Sequence, residues 1–367
     1  MKKLAAKCMA LILAIVMIMS AAAFAGEGEA QAPDLSGQKI GLMIYSTTTP
    51  WAINIIEAFE KICKDFGAET AIAEAGNPGE VMTAAENLVG AGVTGVMCMM
   101  DGQIGDKVQG LFDSKQIPVS YAWGNYIDAD YFPALYGSEY YAGSVSSMDY
   151  EAAVEMTQYC IDKGADKWVF LGMPEGSGVA NDNRAIGFKD TLAANGQELL
   201  AEVRSYDKVE GSQNLVTNYP DLNGFGAGIN AAKNAGGVLE QAGKTGPDEV
   251  FMFTYEASED YIVEYFEAQR LHGCADGCIG HMQVALALLF AQMAGHKVVD
   301  GEGIAASLRM PYLIAYNADE YNKMHEFTYD GNLPFDDVEF VDMINADYDT
   351  YVAITEDYSI DSIAARR

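Results

Sequence analysis

From Lys39 onward, apolar runs of strand length alternate with amphipathic stretches of helix length: IGLMIYS then Trp51 to Phe66, ETAIAEA then Gly79 to Gly90, TGVMCMM then Gly105 to Lys115, then IPVSYAW. Runs that are apolar throughout, rather than every second residue, suit strands buried on both faces, and spacers of helix length connect such strands in parallel. The rhythm predicts a doubly wound α/β lobe, a parallel sheet with helices on both sides. A second series follows, with a helix expected from about Tyr140 to Lys163, then KWVFLGM, a helix from Val179 to Asn195, LLAEVRSY and a helix ending at Tyr219. It continues through GFGAGIN, a helix from Ala231 to Ala242, EVFMFTY, a helix from Ser258 to Arg270, and GCIGHM as a strand. Two lobes fit a chain of 367 residues. Beyond Lys297 the pattern decays: MPYLIAY reads as one more strand, and Thr328 to Arg367 is an acidic, Tyr- and Asp-rich extension expected to cap a lobe.

Sheets of this kind bind ligands in the crevice beyond the carboxyl ends of their strands. The residues there are Ser46 to Trp51, Asp101, Trp123, Gly172 to Arg184, Tyr206, Asn230, Tyr255, Glu256 and His281. The charge narrows the partners: 22 Lys and Arg against 53 Asp and Glu give a net −31. Such a surface repels nucleic-acid phosphates and anionic lipid headgroups, and no basic patch offsets it.

Lys2, Lys3 and Lys7 precede an apolar run from Met9 to Met19 and the small-residue end Ala23-Phe24-Ala25, the pattern of a signal peptide cleaved after Ala25. An exported protein, periplasmic or extracellular, is expected. Cys8 lies before the apolar run, not after it, so a lipid anchor is not. The longest later apolar stretch, around Val284 to Met293, is too short and too interrupted by Gln283 and Gln292 to span a bilayer. Of the remaining cysteines, Cys63, Cys98 and Cys160 sit in apolar segments, and only Cys274 and Cys278 look pairable.

Candidate chemistry is sparse. His272, Cys274, Cys278 and His281 offer zinc donors on paper, but the spacing departs from ordinary zinc motifs and a turn into a strand would aim them apart, so no metal is expected. Gly224 to Gly228 match neither phosphate-loop pattern, and Glu175-Gly176-Ser177 lacks the G-x-S-x-G frame. With no nucleophile–base pair in evidence, neither catalysis nor a cofactor is expected.

The order of these elements, with KIGLMIYSTTTPW, NRAIGF and YPDLNGFGAGINAAKNAGG at strand ends, resembles the periplasmic sugar-binding proteins of the ribose-binding type, which serve ABC importers. The resemblance covers about Lys39 to Ala315 and implies the type 1 periplasmic-binding-protein fold, two doubly wound parallel-sheet lobes joined by a three-segment hinge. The crossovers would lie near Ser138, His281 to Met282 and Leu308 to Met310. That gives an N-terminal lobe of residues 38–138 plus 282–308, a C-terminal lobe of 139–281 plus 309–327, and an extension of 328–367. Carried over by position, the family's ligand residues fall on Ser46, Thr49, Trp51, Trp123, Ser138, Arg184, Tyr206, Asn230, Tyr255 or Glu256, and His281.

The resemblance implies a monomer that closes on a sugar-like solute and presents it to an ABC permease in the membrane. Two departures bear on the ligand: Trp123-Gly124 stands where the family has Asp-Arg, and Tyr255 or Glu256 where it has Asp. Aromatics in place of hydroxyl binders give weight to a nucleoside or modified sugar, and after those to a cation held by aromatic faces. A sensor subunit signalling to a chemoreceptor or kinase, and a secreted hydrolase on the same scaffold, are the other readings.

Overall fold

The computed structural model describes residues 32–367 except 101, 125, 229–231, 256–260 and 330. The leader expected at residues 1–25 lies outside the described residues. The chain begins with β1 (Lys39–Ile44), α1 (Pro50–Asp65), β2 (Glu69–Glu74), α2 (Val81–Gly90), β3 (Gly95–Cys98), α3 (Gly105–Asp113), β4 (Val119–Ala122) and β5 (Tyr141–Ser147). It continues with α4 (Asp149–Lys163), β6 (Lys167–Gly172), α5 (Val179–Ala194), β7 (Glu198–Arg204), α6 (Lys208–Asn218), β8 (Gly224–Ala227), α7 (Ala232–Gln241), β9 (Phe251–Tyr255), α8 (Tyr261–Glu267) and β10 (Gly273–Asp276). Last come α9 (Cys278–Met293), β11 (Ser307–Met310), β12 (Leu313–Ala315), α10 (Ala318–Thr328), α11 (Asp337–Ile344), α12 (Tyr348–Glu356) and α13 (Ile360–Arg366).

The strands form two six-stranded sheets, β11-β5-β4-β3-β1-β2 and β12-β10-β9-β8-β6-β7. Every pairing is parallel except β12 against β10. The expected α/β class, with two doubly wound lobes, is what the chain adopts. Local signals set the elements: α1 starts where the Thr49 hydroxyl accepts from the Ala52 amide at 3.3 Å and Pro50 supplies a preset φ. Its buried stripe is Trp51, Ile55, Phe59 and Ile62. Helix α9 is buried on all sides from Cys278 to Ala291 because it lies on β3, β4 and β5 while α11 covers it from outside. Its fully buried amide, Gln283, is satisfied by the Phe335 main chain, giving to the carbonyl at 2.7 Å and accepting from the amide at 3.1 Å. Among the described residues no helix is long and apolar enough to cross a membrane.

Three sequence expectations need correction. Tyr141 to Ser147 is a fully buried strand, not the start of a helix; its serines read as polar but are sheet-centre residues with partners, the Ser144 hydroxyl bonded to Tyr141 Oη at 2.8 Å and Ser147 to Asp149 Oδ2 at 2.5 Å. The chain therefore leaves the first sheet at Met148, not near Ser138, and residues 139–147 belong with the first lobe. GCIGHM is not a strand either. Asp276 accepts from the amides of Gly277 at 2.7 Å and Cys278 at 3.4 Å, and Gly277 takes φ +104°, so β10 ends and α9 begins there. The second crossover is Gly277 and the third is Pro311 and Tyr312, a few residues from His281 to Met282 and from Leu308 to Met310. Cys274 and Cys278 are buried thiols not joined to each other, one in β10 and one on the first turn of α9.

Candidate functional site

A cleft opens where the carboxyl ends of the two sheets face each other. From the first lobe it is lined by Tyr45 after β1, Asn77 and Pro78 after β2, Met99 and Met100 after β3, and Trp123, Tyr126 and Tyr131 after β4. From the second lobe come Met173 and Ser177 to Asn181 after β6, Arg184 on α5 and Tyr206 after β7. Hydrogen bonds between the lobes include those from Gln103 Nε2 to the Gly176 carbonyl at 2.7 Å, from Asn183 Nδ2 to Asp128 Oδ2 at 3.1 Å and from Asn54 Nδ2 to the Thr328 carbonyl at 2.9 Å.

Aromatic rings stack behind and within the first-lobe wall. The Trp51 centroid lies 5.4 Å from Tyr45 and 4.6 Å from Trp123. Trp51 is buried at 2% exposure, while Trp123 is half-buried and faces the cleft. Trp123 holds φ +58°, a left-handed conformation rare for so bulky a residue and typical of ligand clamps when it occurs. The indole N–H groups of Trp51 and Trp123 and the Ser177 hydroxyl are buried without a hydrogen-bond partner among the described residues.

Arg184 forms the floor. Its Nε donates to Asp149 Oδ1 at 2.7 Å, Nη1 to the Gly228 carbonyl at 3.0 Å and Nη2 to Tyr312 Oη at 2.8 Å, while Tyr312 gives its own proton to Asp149 Oδ1 at 2.9 Å. The guanidinium also lies 4.1 Å over the Tyr255 ring. Burial works against its charge, but Tyr312 and Asp149 outweigh that and hold it protonated beyond its ordinary range. Asp149 follows the first crossover and Tyr312 sits in the third, so a cleft residue is wired to the hinge. His281 ties the other two crossovers: Nδ1 lies 3.2 Å from the Gly277 carbonyl and Nε2 3.0 Å from that of Met310. Burial pushes this imidazole below its ordinary pKa, against the pull of the Met310 and Gly277 carbonyls.

The fold gathers some of the sequence-expected residues and disperses others. Trp123, Arg184 and Tyr206 line the cleft, Tyr206 at 64% exposure on its rim, and Trp51 backs Trp123. Ser46 and Thr49 serve the turn into α1, Ser46 Oγ accepting from the amides of Thr48 at 3.2 Å and Thr49 at 3.3 Å. Tyr255 lies beneath Arg184 with its hydroxyl 3.4 Å from the Asp149 carbonyl, and burial pushes its phenol above the usual range. His281 belongs to the hinge. Ser138 precedes β5 at the opposite edge of the sheet, bonded to Asp113 at 2.7 Å and Gln109 at 3.1 Å. Asp101, Asn230 and Glu256 lie outside the described residues. Tyr45, Asn77, Met99, Met100, Tyr126 and Tyr131 were not anticipated, although all follow first-lobe strands, the position that flagged the others.

The donors of the paper zinc motif are spread over different elements. His272 Nε2 meets Asp248 Oδ1 at 2.9 Å, and His281 is committed to the hinge carbonyls.

A family model described as periplasmic binding proteins and sugar binding domain of the LacI family matches residues 37–256. No curated protein matches the sequence. Among solved structures the chain is similar to an ABC transporter periplasmic solute binding protein from Actinobacillus succinogenes 130z with bound D-allose, at 14% identity and TM-score 0.65, covering 78% of this chain and 99% of that one. A solute binding protein from Bacillus halodurans C-125 with bound myo-inositol gives 15% identity and TM-score 0.63, covering 82% and 99%. One from Agrobacterium vitis bound with alpha-D-tagatopyranose gives 13% and 0.67, covering 80% and 99%.

Proposed function

The chain belongs to the family of periplasmic binding proteins and LacI-type sugar-binding domains, and from that premise we propose that it is an exported solute-binding protein that captures a small cyclic solute between its lobes and delivers it to an ABC permease. The observation that carries this reading is the wiring of the cleft to the hinge: Arg184 lines the cleft and bonds to Asp149 and Tyr312, which flank or form two of the three crossovers. A solute touching both walls favours the apposed arrangement by its differential affinity for it, and the permease reads that arrangement. The protein works as a monomer, needs no cofactor and performs no reaction. The leader sequence before Gly26 supports export.

The relatives with bound allose, inositol and tagatose make a sugar-like solute the starting panel. Thermal unfolding of the purified chain, freed of co-purified ligand, tests the reading against monosaccharides, polyols and nucleosides. A solute present at 100 times its Kd adds about 2.7 kcal/mol and raises the midpoint. A midpoint unmoved by every small solute offered would count against solute capture.

A further inference from the structure

The two walls of the cleft offer different chemistry. The first-lobe wall is mostly rings and thioethers, chiefly Tyr45, Met99, Met100, Trp123 and Tyr131, with the Asn77 amide beside them. Tyr126 adds a ring there, but its hydroxyl is committed to the carbonyls of Ala122 at 2.9 Å and Cys98 at 3.2 Å. The second-lobe wall holds Ser177, Asn181 and Arg184, with the Tyr206 ring at the rim. A free sugar presents hydroxyls around its whole edge, and each one buried against a ring edge or a thioether goes unpaired. A solute with one flat unsaturated ring and one hydroxylated part matches both walls.

The polar atoms left over agree. Among the described residues, Trp123 Nε1 is a buried donor without a partner on the aromatic wall, and Ser177 Oγ is a buried hydroxyl without one on the polar wall. An indole N–H can only donate, and it does so in the plane of its ring, so its acceptor is on the part of the solute beside Trp123, where a hydroxyl oxygen serves. Charge limits the solute further. Among the described residues lining the cleft, Arg184 alone is charged, and Asp149 already pairs it. A phosphorylated solute therefore meets no free cation among the described lining residues, on a chain of net charge −31.

Resting on the solute-capture reading, we infer that the bound solute is an uncharged nucleoside. Its base stacks on Trp123, with Trp51 as backing. Its pentose hydroxyls meet Ser177, Asn181 and the remaining donors of Arg184.

Calorimetry and tryptophan fluorescence on the full chain, freed of co-purified ligand, test this with adenosine, inosine and uridine, the bases adenine and uracil, and D-ribose, D-allose and myo-inositol. The expected result is binding of at least one nucleoside with a change in indole emission, and weaker binding of the matching base and of D-ribose. Trp123→Ala should lose about 5- to 150-fold in nucleoside affinity, the range for removing an aromatic platform beneath a base. Trp123→Phe keeps a ring, guards against loss of the fold, and should recover most of that affinity. Binding of D-allose, D-ribose or myo-inositol with no response to nucleosides overturns the ligand assignment and leaves solute capture standing. A base bound as tightly as its nucleoside overturns the pentose contacts, and nucleoside binding undiminished in Trp123→Ala overturns the stacking. Silence across all three groups overturns the assignment and removes its premise as well.

Discussion

At the scale of single residues, Arg184 and Tyr206 line the same cleft yet differ in what removing them costs. Arg184 is 1% exposed and paired with a fully buried Asp149. Truncating one partner strands the other charge, so Arg184→Ala should lose about 3–5 kcal/mol in urea unfolding, well beyond any effect on ligand. Tyr206, at 64% exposure, should change stability by less than about 0.5 kcal/mol when replaced by Ala, so its binding defect can be read cleanly. His281 makes a second prediction. Its folded pKa is depressed by burial from an unfolded value of about 6.5, so between the two the unfolded chain binds more protons. Stability is full above about pH 6.5, falls as the pH drops below it, and levels off once the folded imidazole itself is protonated. Thermal midpoints from pH 8 to pH 5 should show that fall, with a shallower slope in His281→Asn; a residual slope is expected because burial also lowers His272.

Places in the cleft were legible where strand-end position decides them, as for Trp123 and Tyr206, and for Arg184 on α5 through the NRAIGF resemblance. They were not legible where the partner is remote in sequence. Nothing near Arg184 announces Asp149 or Tyr312, and nothing near Trp51 announces that its neighbour in space is Trp123. Ser46 and Thr49 sit at a strand end, but their hydroxyls are spent on the amides that start α1, a local demand that outranks the ligand.

At the scale of elements, the strands and helices between Lys39 and Ala122 follow the hydrophobic pattern closely, because β1, β3 and β4 are buried on both faces; β2, at the sheet edge, is only partly buried. β5 breaks the pattern for a definable reason: its serines are compensated by Tyr141, Asp149 and the Ile127 amide, none of which a window along the sequence can see. Gly143 in this strand has φ +139°, and a Cβ there would lie 2.6 Å from the Ala306 carbonyl oxygen. Gly143→Ala should therefore destabilise the protein by about 1–3 kcal/mol. Gly110→Ala, in α3 with open space around the added methyl, should be neutral or stabilise by about 0.4–1 kcal/mol. Equal urea midpoints for the two variants would contradict this account of β5.

At the scale of the whole molecule, the acidic end of the chain is built into both lobes and is not a loose tail. α13 packs on α10, which itself lies on α8 and β12 of the second lobe, whereas α11 covers α9 and α12 lies on β11 in the first. Between them, Tyr329 Oη reaches Asp276 Oδ2 at 2.5 Å and Tyr358 Oη donates to the Gly277 carbonyl at 2.8 Å, both at the second crossover. The sequence marked this segment only by its Tyr and Asp content, since short helices that borrow their apolar partners from elsewhere carry weak periodicity.

The first sheet takes its edge strand β11 and its covering helix α9 from residues 278–310, after strands β6 to β10 of the second lobe. During synthesis, then, strands β3, β4 and β5 of the earliest-made lobe lack that cover until some three quarters of the chain has been made. Apolar strands without their cover cannot settle into a native core, and contacts this distant in sequence close slowly. The order of elements thus leaves the first sheet without its edge strand and covering helix until residues 278–310 have been made.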